Sequence, residues 1–223
     1  MNVLITAGPT REWIDPVRFI SNPSSGKMGY ALAQMAHNAG AHVTLVSGPT
    51  MLLAPRGVEL VEVETAAEMA REVFRRAKQA DIIILSAAVA DWTPARRAPQ
   101  KLKKTEDERR KTALVLRLKP TVDIAATLGR ARRRRGQVLV GFAAETQRIE
   151  ANARGKLKRK NLDLIVANDV SKEGSGFGVD TNEIILMDRH GCVERPPHAS
   201  KWILARQIVK LAWRMRERKL EVQ

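Results

Sequence analysis

The stretch Asn2-Val3-Leu4-Ile5-Thr6-Ala7-Gly8-Pro9-Thr10 decides the fold. An apolar, β-branched run that stops on a Gly-Pro turn reads as a buried parallel strand ending in a loop where a site can open. Moving outward, apolar residues fall at Met28, Ala31, Leu32, Met35, Ala36 and Ala39, the spacing of one helical face. Gly40 then stands where a C′ glycine belongs. His42 to Val46 reads as a second strand. Thr65-Ala66-Ala67-Glu68 has capping-box spacing and opens a helix to about Lys78, and Asp81 to Leu85 is a third buried strand. This alternation predicts an α/β protein: a parallel sheet with helices on both faces and ligands at the carboxyl ends of the strands.

Beyond Ala87 the text changes. Trp92 to Lys111 is rich in Pro, Arg, Lys and Glu without an apolar period, and reads as a mobile flap loop. Thr112 to Leu118 reads as a strand, Thr121 to Arg134 as a helix, and Gln137 to Ala143 as a buried strand. Ile149 to Lys160 reads as a helix and Leu162 to Ala167 as a strand. Ile184 to Met187 and Cys192 to Glu194 form a C-terminal hairpin around His190-Gly191. A helix from Ser200 to Arg218, with Ile203, Ile208 and Leu211 on its apolar stripe, closes a single domain spanning 1–223. There is no internal repeat, and the low-complexity tract is Arg132 to Arg135.

Composition narrows the class. With 44% apolar residues in 24.8 kDa the chain can bury a substantial core, and no run reaches the roughly 18 to 20 apolar residues of a membrane span. A cytoplasmic, membrane-free protein is expected. The single cysteine, Cys192, excludes an intrachain disulfide framework, and the scattered His37, His42, His190 and His198 offer neither a zinc set nor a triad. A net charge of +15 asks for a polyanionic partner or another surface explanation. Nucleic-acid binding as the main function is not expected, because aromatics are 4% of the chain and no finger, zipper or RNP signature is present. A positive surface would equally steer phosphorylated small molecules.

Candidate chemistry clusters in few places. Ser24, Ser25 and Gly26 precede the first clear helix, an anion site in principle at a helix N-terminus, although the spacing fits neither a P-loop nor G-x-G-x-x-G. Lys156 and Lys160, four apart, share a helix face and could hold phosphate oxygens, or could form a solvated basic face. Lys101, Lys103 and Lys104 lie in the charged loop. Asp91 and Glu145 follow strands and could face a ligand or cap a turn.

Six segments taken together carry more than each alone. They are Ala7-Gly8-Pro9-Thr10-Arg11-Glu12, Asp15-Pro16-Val17-Arg18-Phe19-Ile20-Ser21-Asn22, Ser24-Ser25-Gly26-Lys27-Met28-Gly29, Ala87-Ala88-Val89-Ala90-Asp91-Trp92, Gly141-Phe142-Ala143-Ala144-Glu145-Thr146 and Lys160-Asn161-Leu162-Asp163. In order and text they resemble the phosphopantothenoylcysteine synthetases, in particular the carboxyl-terminal half of bacterial bifunctional coenzyme A biosynthesis enzymes. The resemblance implies a Rossmann-like domain that dimerises and uses CTP with Mg2+ or Mn2+ to activate 4'-phosphopantothenate as an acyl-cytidylate. L-cysteine then displaces CMP. It further implies that Asn22 steadies the acyl-cytidylate through its side-chain amide, that Lys101 acts from the flap in its turnover, and that Ala87, Ala88, Asp91, Phe142, Lys156 and Lys160 belong to the nucleotide set. The metal ligands are left open. No flavin is expected here, though a flavin-dependent decarboxylase is an implied associate. One departure is Val122 in Pro120-Thr121-Val122-Asp123-Ile124, where the family commonly has proline.

Overall fold

A computed structural model of the protein describes residues 1–103, 114–131, 134–172, 174 and 176–221. In chain order the elements are β1 (Asn2–Ala7), β2 (Arg11–Trp13), β3 (Phe19–Ser21), α1 (Lys27–Asn38), β4 (His42–Ser47), β5 (Glu59–Glu62) and α2 (Ala66–Ala77). Next come β6 (Ile82–Leu85), β7 (Trp92–Pro94), β8 (Leu118–Pro120), α3 (Ile124–Arg130), β9 (Val138–Glu145), α4 (Ile149–Arg159) and β10 (Leu164–Asp169). The chain continues through β11 (Thr181–Asn182), β12 (Ile184–Asp188), β13 (Val193–Glu194), β14 (Ala199–Ser200) and α5 (Lys201–Glu221).

Eight strands form one sheet in the order β13-β12-β10-β9-β6-β1-β4-β5, parallel from β10 to β5, with the C-terminal hairpin added antiparallel at the other end. Ile5 of β1 lies between Leu45 of β4 and Ile84 of β6. Alternate residues along each strand enter opposite layers. Val3 and Ile5 pack with Leu32 of α1 and Leu204 and Ile208 of α5, whereas Leu4 packs with Met69 and Val73 of α2 and Leu157 of α4. Covering both faces explains why β1 and β6 read as unbroken apolar runs. The mostly parallel sheet between two helical layers agrees with the Rossmann-like reading.

The chain leaves β1 for β4 on one side and returns through α2 to β6 on the other. The carboxyl ends of β1 and β6 therefore flank the switch point at which open α/β sheets bind ligands. Gly29 brings α1 against this point: a Cβ there would lie 2.4 Å from that of Ala7.

Four local expectations are corrected. Trp92 to Pro94, read as the start of the flap, pairs with β8 as an antiparallel ribbon. The following residues are tied down by Ala95 N–H to Arg117 O, Ala98 N–H to Ile14 O and Leu102 N–H to Asp15 Oδ2. The expected strand from Thr112 to Leu118 is absent over 114–117 and begins at Leu118, while 112–113 and flap residues 104–111 lie outside the described residues. The helix read from Thr121 starts only at Ile124, because Asp123 caps it through Ala126 N–H at 2.9 Å and the Thr121 hydroxyl serves Ala90 O instead. It ends at Arg130, with 132–133 undescribed. On α5, Ile203 points to solvent, and the buried stripe is Leu204, Ala205, Ile208, Val209 and Ala212.

Candidate active site

A cleft of about 700 Å³ opens at the switch point. Its first wall is the entry to α1. Gly26 takes a left-handed φ of 78° and no side chain caps the helix, so the first-turn N–H groups stay available beside Ser24, Ser25 and Lys27. An uncapped N-terminus facing a cleft favours an anion.

The floor is the segment after β6. Ala87 N–H donates to Thr6 Oγ1, Ala88 N–H to Gly8 O, and Ala90 N–H to Thr10 Oγ1, fixing Ala87 to Ala90 against the end of β1. Asn22 Nδ2 donates to Ala88 O at 3.1 Å and Val89 O at 3.2 Å. Two carbonyls demand the NH2 side of the amide, so the side chain's donors hold the floor and its Oδ1 is the atom left to face a ligand.

The far wall carries the cations. Lys156 lies 2.7 Å from Glu145 Oε1 and Lys160 3.0 Å from Asp123 Oδ2, and Asn152 Nδ2 holds Glu145 Oε2 at 3.0 Å. Burial works to raise the Asp123 pKa, but the Ala126 N–H and the Lys160 ammonium outweigh it and leave the carboxyl below its ordinary value. Phe142 and Val122 add apolar surface to the same cleft. Asp91, exposed on the rim, has no cationic partner among the described residues.

Ser24, Ser25, Gly26, Asn22, Ala87, Ala88, Asp91, Phe142, Lys156 and Lys160 thus share one cleft. Lys101 does not line it. It is exposed, and its neighbour Leu102 is gripped by Asp15 through N–H and by Arg18 Nη2 through C=O at 2.7 Å.

Sequence reading missed the opposite end. Lys201, buried at the start of α5, donates to Gly176 O at 2.9 Å and Val179 O at 2.7 Å, while Lys27 pairs with Asp180 at 2.7 Å. Desolvation, then the nearby Lys27 charge, push the Lys201 pKa below its ordinary value. The one available signal was a lysine in the first turn of a helix, where the dipole disfavours a cation. Among the described residues, no three His, Cys, Asp or Glu side chains group as a metal site, and no helix is long and apolar enough to cross a membrane.

Comparison with known proteins agrees with this architecture. The coenzyme A biosynthesis bifunctional protein CoaBC of Bacillus subtilis (strain 168) is 49% identical over 210 residues, covering 94% of this chain and 50% of that protein. The CoaBC protein of Escherichia coli (strain K12) is 49% identical over 191 residues, 86% of this chain and 46% of its own. The chain therefore spans about half the length of these relatives. The solved C-terminal domain of a CoaBC protein superposes with a TM-score of 0.81 at 42% identity, covering 97% of this chain and 95% of that one. A Cab2 protein solved with phosphopantothenate-cysteine shares the fold, with a TM-score of 0.79 at 19% identity. Since residues 1–215 also match the DNA/pantothenate metabolism flavoprotein C-terminal domain, the chain belongs to that family.

Proposed function

We propose that the cleft joins 4'-phosphopantothenate to L-cysteine in coenzyme A biosynthesis, using CTP. The observation that carries this reading is the convergence, in one cleft, of an uncapped helix N-terminus, a backbone-lined floor and two lysines on the facing wall. Such a site suits a nucleoside triphosphate beside a second anionic substrate. The names of the CoaBC relatives supply the pathway.

In the first step the phosphopantothenate carboxylate attacks the α-phosphorus of CTP. The bond to the β-phosphate oxygen breaks, and pyrophosphate leaves with the electron pair. Lys156 and Lys160, released from Glu145 and Asp123, neutralise the charge that develops on the phosphates. The cysteine amine then attacks the acyl carbon, CMP departs, and the amine proton passes to solvent. Asn22 holds the floor on which the anhydride rests. Lys101 acts only after its loop moves, since it stands outside the cleft. Magnesium, with manganese as alternative, would supply charge neutralisation to the bound triphosphate. Asp91, a cleft carboxylate without a cationic partner among the described residues, would hold that ion.

The proposal includes a homodimer. The ribbons β2–β3 and β7–β8 leave Phe19, Trp92 and Leu118 exposed, surface suited to a second copy. A flavin-dependent phosphopantothenoylcysteine decarboxylase is the expected associate, because the relatives are bifunctional proteins; this domain needs no flavin of its own.

The test is calorimetric titration with CTP and magnesium, followed by assay for amide product. Lys156→Ala and Lys160→Ala should each weaken CTP by roughly 1.5 to 3 kcal/mol, the scale of one charge-assisted hydrogen bond, and the combined variant by at least as much, with the fold intact. Unchanged affinity in this variant would remove both lysines from the site. Absence of product with any nucleoside triphosphate would overturn the ligase reading.

A further inference from the structure

The charge of +15 is not consumed by the cleft, and α5 shows where part of it goes. One face of this helix is paired: Arg216 meets Asp81 at 3.1 Å and Lys219 meets Asp163 at 2.7 Å. The outer face is not. Arg206, Lys210, Arg214 and Arg218 recur every fourth residue, all are exposed, and none has an acidic partner among the described residues. At 1.5 Å rise per residue they form a slowly winding row with about 6 Å between neighbours. Like charges four apart on a helix repel, so the row is a standing cost in the free protein.

The row also borders a depression. Arg206, Lys210 and Arg214 form one side of a groove of about 410 Å³ whose other side is Arg195 and Pro196, just after β13. Arg195 is paired with Glu150, and Glu194 is the one carboxylate in the groove lining. A concave surface concentrates the field of its cations. Trp202, one turn before Arg206 on the same outer face, is 53% exposed.

A small anion would use one or two of these cations. A row of evenly spaced, uncompensated charges beside an exposed indole suits a chain of regularly spaced phosphates carrying stackable bases. We propose that the α5 groove binds the phosphate backbone of single-stranded nucleic acid without sequence preference, at a site separate from the catalytic cleft. This goes beyond the ligase reading and does not depend on it.

The test uses fluorescence anisotropy of two unrelated labelled oligonucleotides, each about 20 nucleotides long, between about 50 and 300 mM KCl. Each phosphate contact on a single strand contributes about 0.7 to the slope of log K against log salt, so R206Q/K210Q/R214Q should flatten that slope by about 2. Trp202→Leu should weaken binding while leaving the slope unchanged. A CTP-induced thermal shift equal to that of the parent protein establishes that the triple variant is folded with its cleft intact. Should CTP give no shift in either protein, matching melting curves serve instead, and only the ligase reading is affected. An unchanged slope in the triple variant, or no binding at the lowest salt, overturns the proposal. So does equal capture of poly-glutamate or phosphatidylserine vesicles, which would make the groove a general polyanion or membrane surface.

Discussion

Glu145 and Asp123 show how single residues set the resting state of the cleft. Each lysine proposed to grip phosphate is already neutralised, Lys156 by Glu145 and Lys160 by Asp123. A triphosphate must displace these carboxylates, and their attraction opposes binding. Glu145→Gln keeps the shape and the Asn152 contact but removes the competing charge. It should tighten CTP about twofold to fivefold, since tenfold corresponds to 1.4 kcal/mol and a partly exposed ion pair is worth up to about 1. Calorimetric titration decides: weaker binding would mean that Glu145 serves to aim Lys156. Helical spacing left Lys156 and Lys160 open between a phosphate grip and a solvated basic face, the family resemblance singled them out, and neither gave a hint of their partners. Glu145 sits on the preceding strand and Asp123 caps a different helix, and only the fold brings them together. Lys201 was illegible for a related reason: its partners are backbone carbonyls of Gly176 and Val179, which no side-chain pattern encodes.

At the scale of elements, those with many periodic residues were legible. The α1 stripe and the Thr65–Glu68 capping box place α1 and α2 within a residue of their observed bounds, and β1, β4 and β6 read directly from apolar runs. The short ribbons were not, since three-residue strands have no period and are held by side chains instead. Asp15, whose side chain is wholly buried, accepts from Val17 N–H, Arg18 N–H, the Arg18 guanidinium and Leu102 N–H. One carboxylate thus closes the β2–β3 turn and pins the segment carrying Lys101. Asp15→Asn offers an NH2 where Arg18 and Leu102 both donate, so donors oppose donors and the pin is lost. Trypsin should cleave after Arg97 and Lys101 at least severalfold faster in this variant, while CTP affinity stays within about twofold because the cleft is untouched. Equal cleavage rates would show that Ala95 and Ala98 alone hold the segment.

For the molecule as a whole, 39 Lys and Arg set against 24 Asp and Glu make each carboxylate count. At Asp15, Asp81 and Asp123 burial works to raise the pKa, but hydrogen bonds and neighbouring cations win and hold all three carboxyls below their ordinary value. A carboxyl whose folded pKa lies below its unfolded one stabilises the fold fully above the unfolded value, near pH 4, and that contribution disappears as pH falls through the folded value. Protonation also leaves the Lys and Arg charge unopposed, adding self-repulsion in the same window. The melting temperature should therefore be nearly flat from about pH 8 to pH 5 and fall steeply below about pH 4. Two further readings identify the cause. Raising KCl to about 0.5 M should recover part of the loss at pH 3, since salt screens general repulsion better than it replaces buried hydrogen bonds. Asp15→Asn should start from a lower melting temperature at pH 7 and lose less on acidification, because its Asp15 contribution is already gone. Calorimetric scans of both proteins at matched pH and salt test this directly. A decline beginning above pH 5, or parallel curves for the two proteins, would refute the assignment of acid sensitivity to these carboxylates.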